Sequence, residues 1–396
     1  MDRRTAWLRV VLLGATLSGL LTSIPLWLNA RMFPLIPIVP GFPTLPAPLD
    51  TIFFLLMLAS LLAAFWFYRP AIKCFLLLGL FAFCEDQNRG QPWFYLYYIL
   101  LGLTLLPPPS AIAAARLAIS AMYIWSGLQK LNARFFAVEP AWFISPATHW
   151  HLPGFVLGFM RSVVWCAPFI EIGIATAVWS KQIWRVAIAV VILIHLGSVL
   201  LLGPLGYNYN WVVLPWNFAM IGLVGVLFWR GKPFELVKAE PQSSGQINFV
   251  QAFNDLRRSP IGFGVIIAFA ILPALSFVGL WDSYFSFALY SENSATANIF
   301  VSKAFADRLP PKLAGDVIPY GKFDPQYQGP YIFRYAVWGY QELHVPPISE
   351  PRAFHAVFKY LRKYSEAPGD LRMITGDRRG DVIFYEGDFH QLLKAK

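Results

Sequence analysis

"MYIWSGLQKLNARFF", residues 122–136, sets a lysine where an apolar, aromatic-rich segment gives way to polar residues. Reading back from Lys130, the residues Arg116, Ser120, Tyr123 and Gly127 recur at helical spacing, so all five share one stripe of a helix. Ala, Ile, Leu and Trp fill the other faces. A polar stripe with an arginine at membrane depth is expected to face the protein interior or a watered cavity, because lipid exposure costs several kcal/mol. Lys130 then has two readings. It is an anchor that snorkels to the outer interface, or a base in a partly dry cavity, where burial disfavours a charged amine.

Composition fixes the setting. The 396 residues are 57% hydrophobic, 17% aromatic and only 14% charged, against roughly 25% charged in soluble domains. This is the composition of a membrane protein. The net charge of +10 does not read as a nucleic-acid surface. Residues 283–396 carry 14 Lys+Arg against 12 Asp+Glu, so +8 of the excess lies in the hydrophobic part, at segment ends. That is the pattern of topology-setting charge. Cys74, Cys84 and Cys166 all fall in apolar segments without a metal-ligand spacing, so neither a disulfide framework nor a metal site is expected. The basic N-terminus leads into an apolar run too long for a signal peptide and reads as a first span.

Runs fit to cross a ~30 Å bilayer occur near 7–28, 50–68, 71–84, 93–107, 111–129, 161–179, 183–203, 211–229 and 259–281. The expectation is an all-α polytopic bundle of about nine transmembrane helices (1–282), with a small C-terminal α+β domain (283–396). Arg3, Arg4, Arg9, Arg69, Lys73, Lys181, Arg185 and the basic residues of 230–258 fall on one side, which the positive-inside rule makes cytoplasmic. The N-terminus and the 231–258 linker are then inside a cell membrane, and the C-terminal domain is outside. In that domain "ATANIFVSKAFADRL" and "SEPRAFHAVFKYLRKYS" read as amphipathic helices, the second starting at Ser349. "DLRMITGDRRGDVIFYEGD" reads as a hairpin.

Several polar residues stand out against this background. Glu85, Asp86, Asn88, Arg89, Gln91 and Trp93 crowd a turn between two spans, as a solvated hairpin or as part of a site. Glu171 is a lone carboxylate at membrane depth and is expected to pair with Arg116. His195 is alone in an apolar run, where hydrogen-bonded packing and a ligand role compete. Asn208, Asn210 and Asn217, with Pro215, suggest a kinked helix with inward amides. His149 and His151 lack a third ligand and do not read as a metal pair.

These segments resemble a known family. "YIWSGLQKLNARF" resembles the span that carries the catalytic-base lysine in vitamin K-dependent gamma-carboxylases, with Gly127, Lys130 and Leu131 at its core. The loop from Asp86 through Tyr97 is similar to the loop preceding that span, and "ILIHLGSVLLLGPLGYNYNW" to a later His-bearing one. The likeness covers about residues 8–230 and extends to the broader horizontally transferred transmembrane (HTTM) family. DoxX-like proteins share the Gly-x-x-Lys helix end. Trp93 stands where the carboxylases have a functional histidine, and their large β-rich region is replaced by the small domain after 282. The resemblance therefore implies the scaffold and the lysine more than glutamate carboxylation.

The leading expectation is a membrane enzyme using a lipid-soluble, quinone-like reductant from the surrounding lipid. Lys130 is the base, with Asp86 and Arg89 orienting the site. Trp93, Tyr123, His195, Asn208 and Asn210 line it. The alternatives are a small-solute or ion transport module through Arg116, Glu171 and His195, and a non-catalytic DoxX-like redox or assembly partner.

Overall fold

In the computed structural model, which describes residues 2–208, 210–231, 249–320, 331–367, 369–377 and 380–385, the chain is mostly helical. It divides into two units. The first holds residues 1–23, 51–82 and 90–293.

Helix ends in this first unit follow local chemistry. Asp2 caps the helix Arg3–Thr22, accepting from the Arg4 and Thr5 amides. Pro108 and Pro109 open the central helix Pro108–Gln129, where their missing N–H groups cost nothing. That helix stops at Lys130, and Asn132 caps the next one (Ala133–Ile144) by accepting from the Phe135 amide.

Among the described residues, four helices are long and apolar enough to cross a membrane: Arg3–Thr22, Pro108–Gln129, Trp184–Leu202 and Pro260–Val278. A fifth span is possible from Gly154–Trp165 and Ala167–Ala177, two helices bent by 59° at Cys166. Nine full-length spans are not supported. The helices Leu49–Ala63, Pro92–Leu103 and Val213–Phe228 are apolar but have 15, 12 and 16 residues. Hydropathy registers composition along a run, whereas polar turns and prolines such as Pro92 and Pro108 set where each helix ends. Within the last span, Ile267–Ile271 is a π-helical stretch just before Pro273. Most of the expected 231–258 linker lies outside the described residues; its end forms the helix Phe249–Leu256.

The central helix is the best buried of the four spans, with 72% of its 18-residue core inside the protein. Its closest partner is Ala167–Ala177. A Cβ added to Gly127 would stand 2.6 Å from the Pro168 carbonyl oxygen and 2.8 Å from the Ile172 side chain, so only glycine permits this approach.

The second unit gathers residues 24–50 and 83–89 with those from Ser294 onward. Its sheet is antiparallel in the order β2-β3-β1-β4-β5, with β1 (Thr296–Val301), β2 (Val317–Pro319), β3 (Tyr331–Phe333), β4 (Leu371–Asp377) and β5 (Gly380–Tyr385). The β4–β5 hairpin is as expected. "ATANIFVSKAFADRL" is not one helix: its first part is the central strand β1, and only Lys303–Arg308 is helical, capped by Ser302. The β-branched and aromatic residues of "TANIFV" favour a strand. The amphipathic helix of this unit is Pro351–Leu361; it starts at Glu350 and Pro351 and buries Phe354, Val357, Phe358 and Leu361. Asp370 binds the end of β1: its carboxylate accepts from the Ser302 hydroxyl, the Glu366 and Ala367 amides and Arg308. Burial raises its pKa, but these donors outweigh burial and hold it at about 2.

Candidate functional site

The stripe read from the sequence faces the protein along its whole length, and each member meets a different neighbour. Ser120 accepts a hydrogen bond from the Trp179 indole at 2.8 Å. Tyr123 is buried, with its hydroxyl 2.7 Å from His195 Nε2. Gly127 touches the Pro168 carbonyl. Lys130, 7% exposed, donates from Nζ to Glu171 Oε2 at 2.9 Å, to the Ser126 hydroxyl at 2.7 Å and to the Ser126 carbonyl at 3.1 Å. Three acceptors match the three N–H bonds of an ammonium ion.

The arginine at the other end behaves differently. Arg116 does not pair with Glu171; its Nε donates to the Leu227 carbonyl at 2.8 Å. Fourteen residues at 1.5 Å rise put Arg116 and Lys130 about 20 Å apart along the helix. The contact at Gly127 sets the level of the partner helix. Pro168 lies beside Gly127, and Glu171, on the next turn of this antiparallel partner, meets Lys130 because the lysine side chain folds back along its own helix to Ser126.

Below the pair, the Trp184–Leu202 and Val213–Phe228 helices supply a second polar chain. Asn217 Nδ2 donates to the Val213 carbonyl, which turns its Oδ1 toward His195 Nδ1 at 2.6 Å. An amide oxygen only accepts, so Nδ1 carries the proton, and in neutral His195 Nε2 is left to accept from the Tyr123 hydroxyl.

The turn that holds Lys130 is clamped from outside the helix. Gln129 is buried, donates to the Ser276 hydroxyl and accepts from the Asn293 amide, both at 2.8 Å. Asn132 donates to the Ser291 carbonyl at 2.7 Å. Glu139, in the helix Ala133–Ile144 and only 6% exposed, has an Oε2 atom without a partner among the described residues. Burial pushes this carboxyl up to about 7, the Glu292 charge adds to the shift, and Lys130 opposes it. The sequence reading passed over Glu139; its only mark there is an acid before proline in an aromatic run.

Each of the other expected site residues has its own surroundings. Asp86 and Arg89 belong to the second unit, in ion pairs with Arg31 and Glu85. Arg89 also donates to the Trp27 carbonyl and to Asn29, while Asn88 accepts from the Ile348 amide. The loop "CEDQNR" is thus a buried polar knot. Trp93 is buried in the first unit with its ring against Gly19. Asn208, with left-handed backbone, and Asn210 line a shallow cleft with Leu202, Pro204, Trp211 and Leu214. Neither hydrogen-bonds to the Lys130–Glu171 pair.

Among the described residues no group of His, Cys, Asp and Glu is placed to hold a metal ion. No family model, curated protein or solved structure matches this chain.

The glycine contact gives a direct expectation. Gly127→Val should force the two helices apart, cost about 1–3 kcal/mol, and raise the reactivity of Lys130 toward an amine label. A variant that melts and labels like the parent would show that the close approach is not needed.

Proposed function

We propose that this chain is an integral membrane protein in which the Lys130–Glu171 pair is an acid–base site for a lipid-soluble, quinone-like reductant, as the gamma-carboxylase-like resemblance of its sequence implies. The observation that carries this reading is the contact between Lys130 Nζ and Glu171 Oε2 at 2.9 Å, at the end of a span that also carries Tyr123, whose hydroxyl meets His195 on the Trp184–Leu202 helix. Moving one proton along that contact gives a neutral amine and a carboxylic acid. The amine then takes the hydroxyl proton of a reduced quinone, leaving the quinol anion and restoring the ammonium. Surface anchoring alone requires neither a half-buried carboxylate partner nor a serine beside it. In this reading the N-terminus is cytoplasmic and the C-terminal domain extracytoplasmic, following the Lys and Arg bias.

The test is Lys130→Arg, assayed with purified protein and reduced quinones. Arginine keeps the positive charge and can still pair with Glu171, but it does not give up its proton. Melting should stay close to the parent while quinol deprotonation falls by at least ~100-fold. Full activity in Lys130→Arg would reduce the lysine to a structural cation.

A second reading rests on the break at Cys166. Interrupted helices at membrane depth line pathways in transporters, and Glu171 lies on the second piece of the bent pair. Flux of a small ion through proteoliposomes, abolished in Glu171→Gln, would favour it.

A further inference from the structure

Three arginines from separate parts of the first unit converge where the helix Val213–Phe228 ends. Arg4 donates to the carbonyls of Leu227 and Trp229, both at 2.8 Å. Arg116 shares the Leu227 carbonyl. Arg230 reaches across to the carbonyls of Trp179, at 2.8 Å, and Val178, at 3.4 Å. Their charges act on one another: Arg4 and Arg230 both bear on Arg116, and Arg230 on Arg4. A helix C-terminus carries roughly half a negative charge, which one cation satisfies. Arg116 and Arg230 bring two further full charges to it.

The Arg116 guanidinium lies over the Phe228 ring and hydrogen-bonds only through Nε, so both its Nη groups are without a hydrogen bond among the described residues; Arg230 commits only one Nη. Both side chains are half-buried, so these groups are held in place and still reach the surface. The planar guanidinium fork matches phosphate oxygens. Trp229, which supplies one of the carbonyls, is partly exposed, and its ring packs on Trp184 at 5.2 Å between centroids. Tryptophan pairs of this kind sit at headgroup level in a bilayer.

We propose that Arg116 and Arg230, beside Arg4, form a binding site for a phosphate-bearing anion, supplied by the headgroup of an anionic phospholipid. The site is independent of the chemistry at Lys130, because it lies at the opposite end of the Pro108–Gln129 helix.

The experiment uses the full chain in nanodiscs of phosphatidylcholine, with or without phosphatidylglycerol, and a third arm of phosphatidylcholine plus inorganic phosphate. Phosphatidylglycerol should raise the melting temperature by several degrees through preferential binding to the folded state. Arg230→Gln, which loses only bonds to two loop carbonyls, and Arg116→Gln should each weaken phosphatidylglycerol binding about tenfold. A shift from inorganic phosphate that the same variants remove would support the phosphate site and overturn the lipid as its source. Equal phosphatidylglycerol binding by the parent and a folded Arg230→Gln would overturn the proposal. If Arg116→Gln fails to fold, Arg230→Gln decides alone.

Discussion

Replacing Glu171 by leucine should lower stability by about 3 kcal/mol, the low end of the cost of stranding one partner of a buried ion pair. The low end applies because the Glu171 side chain is 17% exposed, so water screens part of the loss. Lys130 would keep its two bonds to Ser126 but lose its counter-charge. Adding Lys130→Leu removes the stranded cation, and the double variant should recover much of the stability. Thermal melts of both singles and the double close the cycle. A double variant no more stable than Glu171→Leu would mean that the two groups do not interact. Arg116→Leu in the Glu171→Leu background should show simple additivity, since Arg116 bonds to the Leu227 carbonyl instead.

Glu139 gives the second large effect, and here pH is the lever. Its carboxyl is raised from about 4.5 to about 7 by burial first and by Glu292 second. A raised folded-state value means that the folded protein binds this proton more tightly than the unfolded chain. The stabilising effect of that proton is complete below about pH 4.5 and is lost as pH climbs through 7. Glu139→Gln mimics the protonated side chain and should be more stable than the parent at pH 8, by on the order of 2–3 kcal/mol. The difference should vanish near pH 4, below the unfolded-state value. Melting curves at the two pH values check it, and a pH-independent difference would contradict the assignment.

How much of this was legible in the residues varies by feature. The polar stripe on 116–130 was legible because helical periodicity fixes which residues share a face. The partner of Glu171 was not, because periodicity says nothing of depth, and only the contact of Gly127 with Pro168 sets the two helices level. The span count failed for a related reason: an apolar run such as 93–107 looks continuous in composition, yet its helix ends at Leu103. In the C-terminal region the β4–β5 hairpin announced itself through its polar turn, whereas β1 was hidden in a run that also fits a helical pattern. Asp86 and Arg89 stand out in the sequence because charges beside apolar segments are costly, and salt bridges to Arg31 and Glu85, which the sequence does not pair, meet that cost.

The amide of Asn217 has a consequence for how charge can travel. A carbonyl oxygen of an amide is far too weak a base to take the proton from His195 Nδ1, so the chain from Tyr123 stops there. A proton moved from the phenol to His195 Nε2 has one way to leave along this chain, back to Tyr123. The three groups form a dead end for protons and not a wire.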